Sequence, residues 1–285
     1  MRHPLVRNLA AAVVLVAALH CAHAQGSFGT FLEAGSTTAI DRYLADLQQR
    51  FEVGAASEVE LRDAYRLFYS LSEAQVRTLQ RWVVNYPHSY VAHLALGVYL
   101  KHAATEARGH LYLQDTPQRD IDRYHEFESN ARKELETSMA LTAKPFLSVF
   151  HMMDLEGMDG DRAALSASAK RADSMAPSNY LARERYMGYL APRWGGSYSE
   201  MDRYLASARR QGLPEEVTLR LEAIEESDKA LSASGAGDTQ GAVTFYRRAI
   251  AKARKLGPDG LTELQLIEGR DYVCALSGQP IDCQP

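Results

Sequence analysis

The most concentrated group of candidate binding residues is the run Arg193-Trp194-Gly195-Gly196-Ser197, here called the R-W-G-G-S turn. Its glycines allow the backbone to approach a ligand closely, and Ser197 is a good N-cap for a following helix, whose free amides attract anions. Arg193 would add charge-assisted hydrogen bonds to such an anion. The same residues also suit a structural corner, in which Trp194 fills the gap between two helices. The residue types alone leave both interpretations open.

A second polar group lies in an insertion between Leu100 and Ala131. Its potential metal ligands are His102, Glu106, His110, Asp115, Asp120, Asp122, His125 and Glu126. His102, Glu106 and His110 recur at i, i+4 and i+8 and so share one helix face, but they do not form the H-E-x-x-H zinc motif. The sequence also has no G-x-S-x-G elbow after a strand. We therefore predict no metal, no cofactor and no catalytic residues.

The elements that would position these groups are helices. Alanine, leucine, glutamate and arginine dominate, and β-branched runs of period two are absent, which predicts an all-α fold. Triplets of small or apolar residues recur at +4 and +3 spacing, as in the second helix of a tetratricopeptide unit. These triplets are Ala131/Leu135/Ser138, Leu165/Ala169/Ala172, Met201/Leu205/Ala208 and Ala242/Tyr246/Ala249.

Prolines mark the ends of the predicted units. Pro87, Pro177 and Pro214 each follow a helical segment that proline cannot continue. Upstream, residues 58–69 and 72–85 predict one more helix pair that ends at Pro87. We therefore predict an α-solenoid of degenerate, tetratricopeptide-like helix pairs, with a non-repetitive helical bundle as the alternative.

The repeat also bears on the R-W-G-G-S turn. Gly160 and Gly237 would lie in the turns between the two helices of two other units. The glycine pair of the R-W-G-G-S turn lies at the same position in its own unit. A shared position indicates a shared task, which favours the structural corner over a ligand site. In that interpretation Trp194 is mostly buried between the flanking helices, and Trp194→Ala costs about 3–5 kcal/mol.

The turn and its surroundings resemble a bacterial family catalogued as domain of unknown function 4034. In that family a helix ending in a proline leads into R-W-G-G-S, and a helix bearing methionine and alanine follows. The residues that lie where this pattern would place them are Tyr186, Met187, Leu190, Pro192 and Met201. A further likeness is the Arg108-Gly109 pair that ends an earlier helix. The family has no established reaction, so the resemblance implies the helical architecture and no chemistry.

The N-terminus predicts export to the periplasm. Residues 1–24 have the form of a secretory signal peptide: a basic start, an apolar segment from Leu9 to Leu19, and small residues before a cleavage site after Ala24. Cys21 would suit a lipoprotein, but His20 before it fits a lipobox poorly. No later segment approaches the ~18 apolar residues that a membrane-spanning helix needs.

Four segments follow from these features: a signal peptide 1–24, a lead-in segment 25–57 with a short helix, a helical-repeat domain 58–258, and a C-terminal segment 259–285. Cys274 and Cys283 both lie in the last segment. In an oxidising compartment they predict a disulfide, which would stabilise the fold by about 2–3 kcal/mol. Metal-binding and redox pairs usually lie closer together, as C-x-x-C.

The leading hypothesis for function is an exported interaction module without catalysis, a scaffold or an immunity-type inhibitor, whose concave groove grips a protein or peptide. The formal net charge of −4 at pH 7 and the lack of a basic block argue against nucleic acid. By analogy with tetratricopeptide proteins, the groove-facing residues would be Leu94, Val98, Lys101, Phe150, Asp154 and Glu184. The alternative is an enzyme or a binder of a small anionic ligand that uses Arg108 together with Arg193, Trp194, Gly195, Gly196 and Ser197.

Overall fold

The computed structural model describes Leu32, residues 34–109 and residues 115–277. Within these residues the regular structure is helical and no strand occurs, so the all-α prediction is confirmed. No helix in the same ranges is long and apolar enough to cross a bilayer. The predicted signal peptide lies outside the described residues, and so does Cys283, so its disulfide with Cys274 stays a prediction.

The chain divides into two compact units, residues 1–155 and residues 156–285. The division falls inside the helix Phe146–Met158, whereas the sequence predicted one repeat domain over 58–258. The predicted lead-in segment contains a helix of 16 residues that belongs to the first unit.

The described part of the first unit consists of six helices and one 3-10 turn. They are α1 (Thr37–Glu52), α2 (Glu58–Tyr65), the 3-10 turn Arg66–Tyr69, α3 (Glu73–Asn85), α4 (Tyr90–Arg108), α5 (Gln118–Met139) and the beginning of α6 (Phe146–Met158). Ser57 and Ser72 start α2 and α3 with capping boxes, each satisfying backbone amides of the first turn. The helix pair predicted to end at Pro87 is thus present.

Helices α4 and α5 are an antiparallel pair that packs along its length. They lie in close contact at Gly97, where an added Cβ would lie 2.9 Å from the Leu135 side chain. Leu135 belongs to the predicted triplet Ala131/Leu135/Ser138, and all three residues are buried. The contact between Gly97 and Leu135 sets the register of the pair.

The second unit continues the helical pattern after the end of α6. Its further described elements are α7 (Arg162–Met175), α8 (Leu181–Tyr189), the 3-10 turn Pro192–Trp194, α9 (Tyr198–Arg210), α10 (Glu215–Gly235), α11 (Thr239–Lys255), α12 (Gly260–Glu263) and α13 (Ile267–Ser277). The predicted triplets of α7, α9 and α11 are all buried. Pro177 lies between α7 and α8, and Pro214 directly precedes α10, so both prolines stand at helix ends as predicted.

The turns before α7 and α11 also follow the prediction. Gly160 and Gly237 adopt φ values of 72° and 78°, in the left-handed region that favours glycine. Asp161 and Asp238 then cap the helices that follow, each accepting a hydrogen bond from a first-turn amide. Two of the sharp turns in the second unit are therefore built from one glycine and one capping aspartate.

Candidate functional site

The backbone of the R-W-G-G-S turn requires both of its glycines, for different reasons. Gly195 has φ 80°, a left-handed conformation that L side chains rarely adopt. Gly196 passes so close to the end of α8 that an added Cβ would lie 2.0 Å from the carbonyl oxygen of Leu190. The glycine pair is thus explained by conformation and by close packing within the second unit.

Ser197 starts α9 as predicted, and the N-terminus of that helix already holds a carboxylate. The Ser197 hydroxyl accepts a hydrogen bond from the amide of Glu200 at 3.3 Å and donates to the Glu200 carboxylate at 3.0 Å. Glu200 also forms an ion pair with Arg162. Because a helix N-terminus favours negative charge, Glu200 supplies from within the chain what an anionic ligand would bring.

The arginine of the turn is likewise engaged by the protein. Arg193 Nε lies 3.1 Å from Oδ1 of Asp228, a nearly buried residue of α10, while Arg193 itself is half exposed. An ion pair with a buried carboxylate neutralises the charge that the ligand interpretation assigned to Arg193. The contacts of the glycines, Ser197 and Arg193 support the structural corner.

One part of that interpretation is wrong: Trp194 does not plug the gap between the helices. Its side chain is 42% exposed and makes an edge-on contact with Tyr189, with ring centroids 5.1 Å apart. The space between α8 and α9 is filled by Met187, Leu190 and Met201, which are buried. An indole has no room there, so it lies at the surface of the second unit.

The exposure of Trp194 revises the expected cost of removing it. We expect Trp194→Ala to lower the free energy of unfolding by about 1 kcal/mol, the worth of one aromatic pair, and not by the 3–5 kcal/mol of an emptied core site. Urea denaturation followed by circular dichroism measures the difference. The fluorescence left in the variant should be that of Trp82, which is fully buried and emits further to the blue. A loss above ~3 kcal/mol would restore the plug interpretation.

The predicted groove is also wrong, because its apolar candidate residues lie in the interior. Leu94 and Val98 are fully buried and Phe150 is 5% exposed. Helix α4 contacts α1, α3 and α5, so it has no open concave side on which Leu94 and Val98 would face a peptide.

The charged members of the predicted groove form ion pairs inside each unit. Lys101 is buried and its Nζ lies 2.5 Å from Oδ2 of Asp154 within the first unit. In the second unit Glu184 accepts a hydrogen bond from Arg220 at 3.1 Å. These residues stabilise their units and are not placed to recognise a partner.

A different site lies at the end of the α4–α5 pair, in the first unit. A cavity of about 650 Å³ opens between the two helices and the segment that follows the first 3-10 turn. Its lining residues are Tyr69, Ser70, Leu71, Tyr99, Ala103, Glu106, Ala107, Arg108, Gly109, Pro117, Asp120, Arg123 and Phe127. This cavity is here called the Arg108 pocket. Arg108 is the residue of the predicted anion-binding set that lines it.

The helix pairing brings a second arginine to the level of Arg108. Gly97 on α4 and Leu135 on α5 are in contact. Because the helices are antiparallel, Arg108, which follows Gly97 by about three turns, lies level with the residue next to Arg123, which precedes Leu135 by the same distance. Both arginines line the pocket. Within the described chain neither forms an ion pair or a side-chain hydrogen bond, so both guanidinium groups are available to a ligand.

The opposite end of the Arg108 pocket is aromatic. Tyr99, which also lines the pocket, lies nine residues before Arg108 on α4, and Tyr69 and Leu71 line the pocket with it. A tyrosine phenol is uncharged at neutral pH, and burial raises the pKa of the Tyr99 phenol further above that range. The pocket thus joins a charged end to an apolar end.

The sequence indicated only part of this site. Arg108 was a candidate for its place in the R-G pair, but its predicted partner Arg193 lies in the other unit. Arg123 and the aromatic wall were missed. The available signal was the stripe Tyr99, Ala103 and Ala107, whose i, i+4, i+8 spacing puts one large and two small residues on one face of α4.

The polar insertion residues have separate positions. Glu106 and Asp120 line the Arg108 pocket, and His102 stacks on Tyr69 with ring centroids 3.8 Å apart. Among the residues that the structure describes, no group of three or more histidine, cysteine or acidic side chains is placed to hold a metal. His110 lies outside the described ranges.

Comparison of the chain with protein-family models, with curated proteins and with solved structures finds no match in any of the three. The resemblance to domain of unknown function 4034 therefore stays a prediction.

Proposed function

We propose that the protein is an exported helical-repeat binding module, without catalysis, and that it holds its partner through the Arg108 pocket. The observation that carries the proposal is the pair Arg108 and Arg123, which line one cavity of about 650 Å³ without an ion-pair partner in the described chain. Arginine and tyrosine are the residue types that most often dominate the energetics of recognition surfaces.

The size and openness of the site favour a chain segment as the partner. A cavity of this volume matches the usual range for ligand pockets, and its lining comes from two helices and one loop of a single unit. A protein or peptide can insert one or two residues into such a pocket while the rest remains outside. The proposed partner is therefore a protein or peptide, as in the scaffold or immunity-type role, and a small anionic ligand is the second candidate because the pocket is of matching size.

The proposed location is the periplasm, on the basis of the signal peptide that residues 1–24 predict. The acidic net charge of −4 supports a non-nucleic-acid partner there. The resemblance to domain of unknown function 4034 is part of the same proposal and adds no reaction to it.

Capture from periplasmic extract tests the proposal. We expect the protein to retain a defined set of molecules that the double variant Arg108→Gln/Arg123→Gln loses, because each guanidinium supplies charge-assisted hydrogen bonds that an amide cannot replace. Mass spectrometry of the retained material identifies the partner, and circular dichroism melting confirms that the variants are folded.

Lys133→Gln is the matched control, since Lys133 is an exposed cation on α5 outside the pocket lining. It should retain the same molecules as the unmodified protein. If the double variant and the control retained the same set, the Arg108 pocket would not be the binding site.

A further inference from the structure

We infer that the Arg108 pocket recognises a monoanionic carboxylate joined to an aromatic or aliphatic group. The inference rests on the proposed function and specifies the chemistry of what that pocket accepts. Two properties of the lining carry it: the balance of charges at one end and the separation of that end from the aromatic wall.

The balance of charges favours one negative charge on the ligand. The lining contains two arginines, Arg108 and Arg123, and two acids, Glu106 and Asp120. Asp120 forms an ion pair with Arg119 at 3.2 Å, and Arg119 lies outside the lining. The negative charge of Asp120 is therefore balanced by a residue that does not line the pocket. The pocket is then left with an excess of one positive charge. A carboxylate neutralises that excess, whereas a dianion such as phosphate would add repulsion from Glu106.

The geometry of arginine also suits a carboxylate. A guanidinium offers paired N–H donors that match the two oxygens of a carboxylate, and Arg108 and Arg123 lie at the same level of the helix pair. Two such groups can engage both oxygens of one ligand from opposite helices. The acidic lining residues Glu106 and Asp120 can then accept a hydrogen bond from a donor on the ligand, such as a peptide amide.

The apolar part of the ligand follows from the length of the pocket. Tyr99 and Arg108 are separated along α4 by about 13 Å at 1.5 Å per residue. Between them Ala103 and Ala107 present small side chains, so the wall there is low and the cavity continuous. The ligand must reach from the arginines to Tyr69, Leu71 and Tyr99. Its apolar group therefore lies a few peptide residues, or an alkyl chain of the same length, away from its carboxylate.

Two sources share this chemistry: the C-terminus of a peptide and a free arylalkanoic acid. Ligand-detected saturation-transfer NMR separates them with four probes at millimolar concentration. These are acetyl-Leu-Leu-Phe with a free carboxylate, the same peptide as its C-terminal amide, 8-phenyloctanoate and inorganic phosphate. Competition titrations then rank the probes that bind.

We expect the free-acid peptide to bind at least about tenfold more tightly than its amide, since the amide lacks the charge that the arginines pair with. Arg108→Gln and Arg123→Gln should each weaken the acid by about tenfold and leave the amide unchanged, and Lys133→Gln should change neither. Binding of 8-phenyloctanoate as tightly as the peptide acid would identify a free arylalkanoic acid as the source. Tyr99→Ser should weaken both carboxylates, because it removes the apolar wall.

Equal binding of acid and amide, tighter binding of phosphate than of either carboxylate, or no binding of any probe would overturn the inference. These outcomes differ from a failure of the proposed function. If capture from periplasmic extract still depended on Arg108 and Arg123, the pocket would remain the binding site and only its carboxylate specificity would be wrong.

Discussion

Gly196→Ala should lower the free energy of unfolding by about 3 kcal/mol, at the upper end of the cost of overpacking. The reason is a collision with backbone: the new Cβ would lie 2.0 Å from the carbonyl oxygen of Leu190 and 2.5 Å from its carbonyl carbon. A side chain can rotate away from such a contact, but the last turn of α8 cannot. Either the turn or the helix end must move, and the packing of α8 against α9 is lost with it.

Gly188→Ala is the matched control for this prediction. Gly188 lies within α8, and an added Cβ there would meet nothing within 4 Å. Alanine is favoured over glycine inside a helix, so this variant should be neutral or more stable by up to about 1 kcal/mol. Urea denaturation of both variants by circular dichroism gives the comparison. Equal stability of the two variants would show that the R-W-G-G-S turn is not a close-packed corner.

Arg220→Met should destabilise the second unit by about 3–5 kcal/mol, the cost of breaking a buried ion pair. Arg220 of α10 is 4% exposed, and its guanidinium contacts the carboxylates of Glu184 at 3.1 Å, Glu216 at 3.3 Å and Glu263. Burial lowers the pKa of Arg220, but the hydrogen bond to Glu263 and the charge of Glu184 outweigh it and raise the pKa. Methionine fills the volume and leaves these acids without their shared cation.

Arg248→Met provides the comparison for Arg220→Met. Arg248 lies on α11 with 58% of its side chain exposed, and its ion pair with Glu226 spans 3.9 Å. An exposed pair of this kind contributes no more than about 1 kcal/mol. Thermal and urea denaturation should therefore separate the two variants clearly. If both variants matched the unmodified protein, the three acids around Arg220 would not depend on its charge.

The helices could be predicted from sequence because their determinants are local. The triplets of α5, α7, α9 and α11 repeat at +4 and +3 spacing, and all of them are buried. The caps at Ser197, Asp161 and Asp238 depend on residues only three positions apart. Such signals require no knowledge of what packs against the helix.

The errors arose where side chains depend on distant residues. Trp194 was expected in the interior because it is large and apolar. The space between α8 and α9 is instead occupied by Met187, Leu190 and Met201. Leu94 was placed on an open face because in tetratricopeptide proteins the first helix of a unit lines the groove. In this chain α1 and α3 also contact α4, and no spacing within α4 reports those neighbours.

The candidate site could be predicted only in part for the same reason. Arg108 stands out in the sequence through the R-G pair, yet its partner in the pocket depends on the register between α4 and α5. That register is set by the approach of Leu135 to Gly97, far along the helices from the pocket. The partner of Arg193, Asp228, likewise lies two helices further along the chain.

Amide hydrogen exchange, with and without the partner captured from periplasmic extract, tests most directly whether the Arg108 pocket is the binding site. We expect the partner to slow exchange in the last turns of α4 and the first turns of α5, around Arg108 and Arg123, and to leave residues 193–200 unchanged. Arg108→Gln/Arg123→Gln should abolish the change. Slowed exchange at the R-W-G-G-S turn, with none around the Arg108 pocket, would show that the turn and not the pocket is the ligand site.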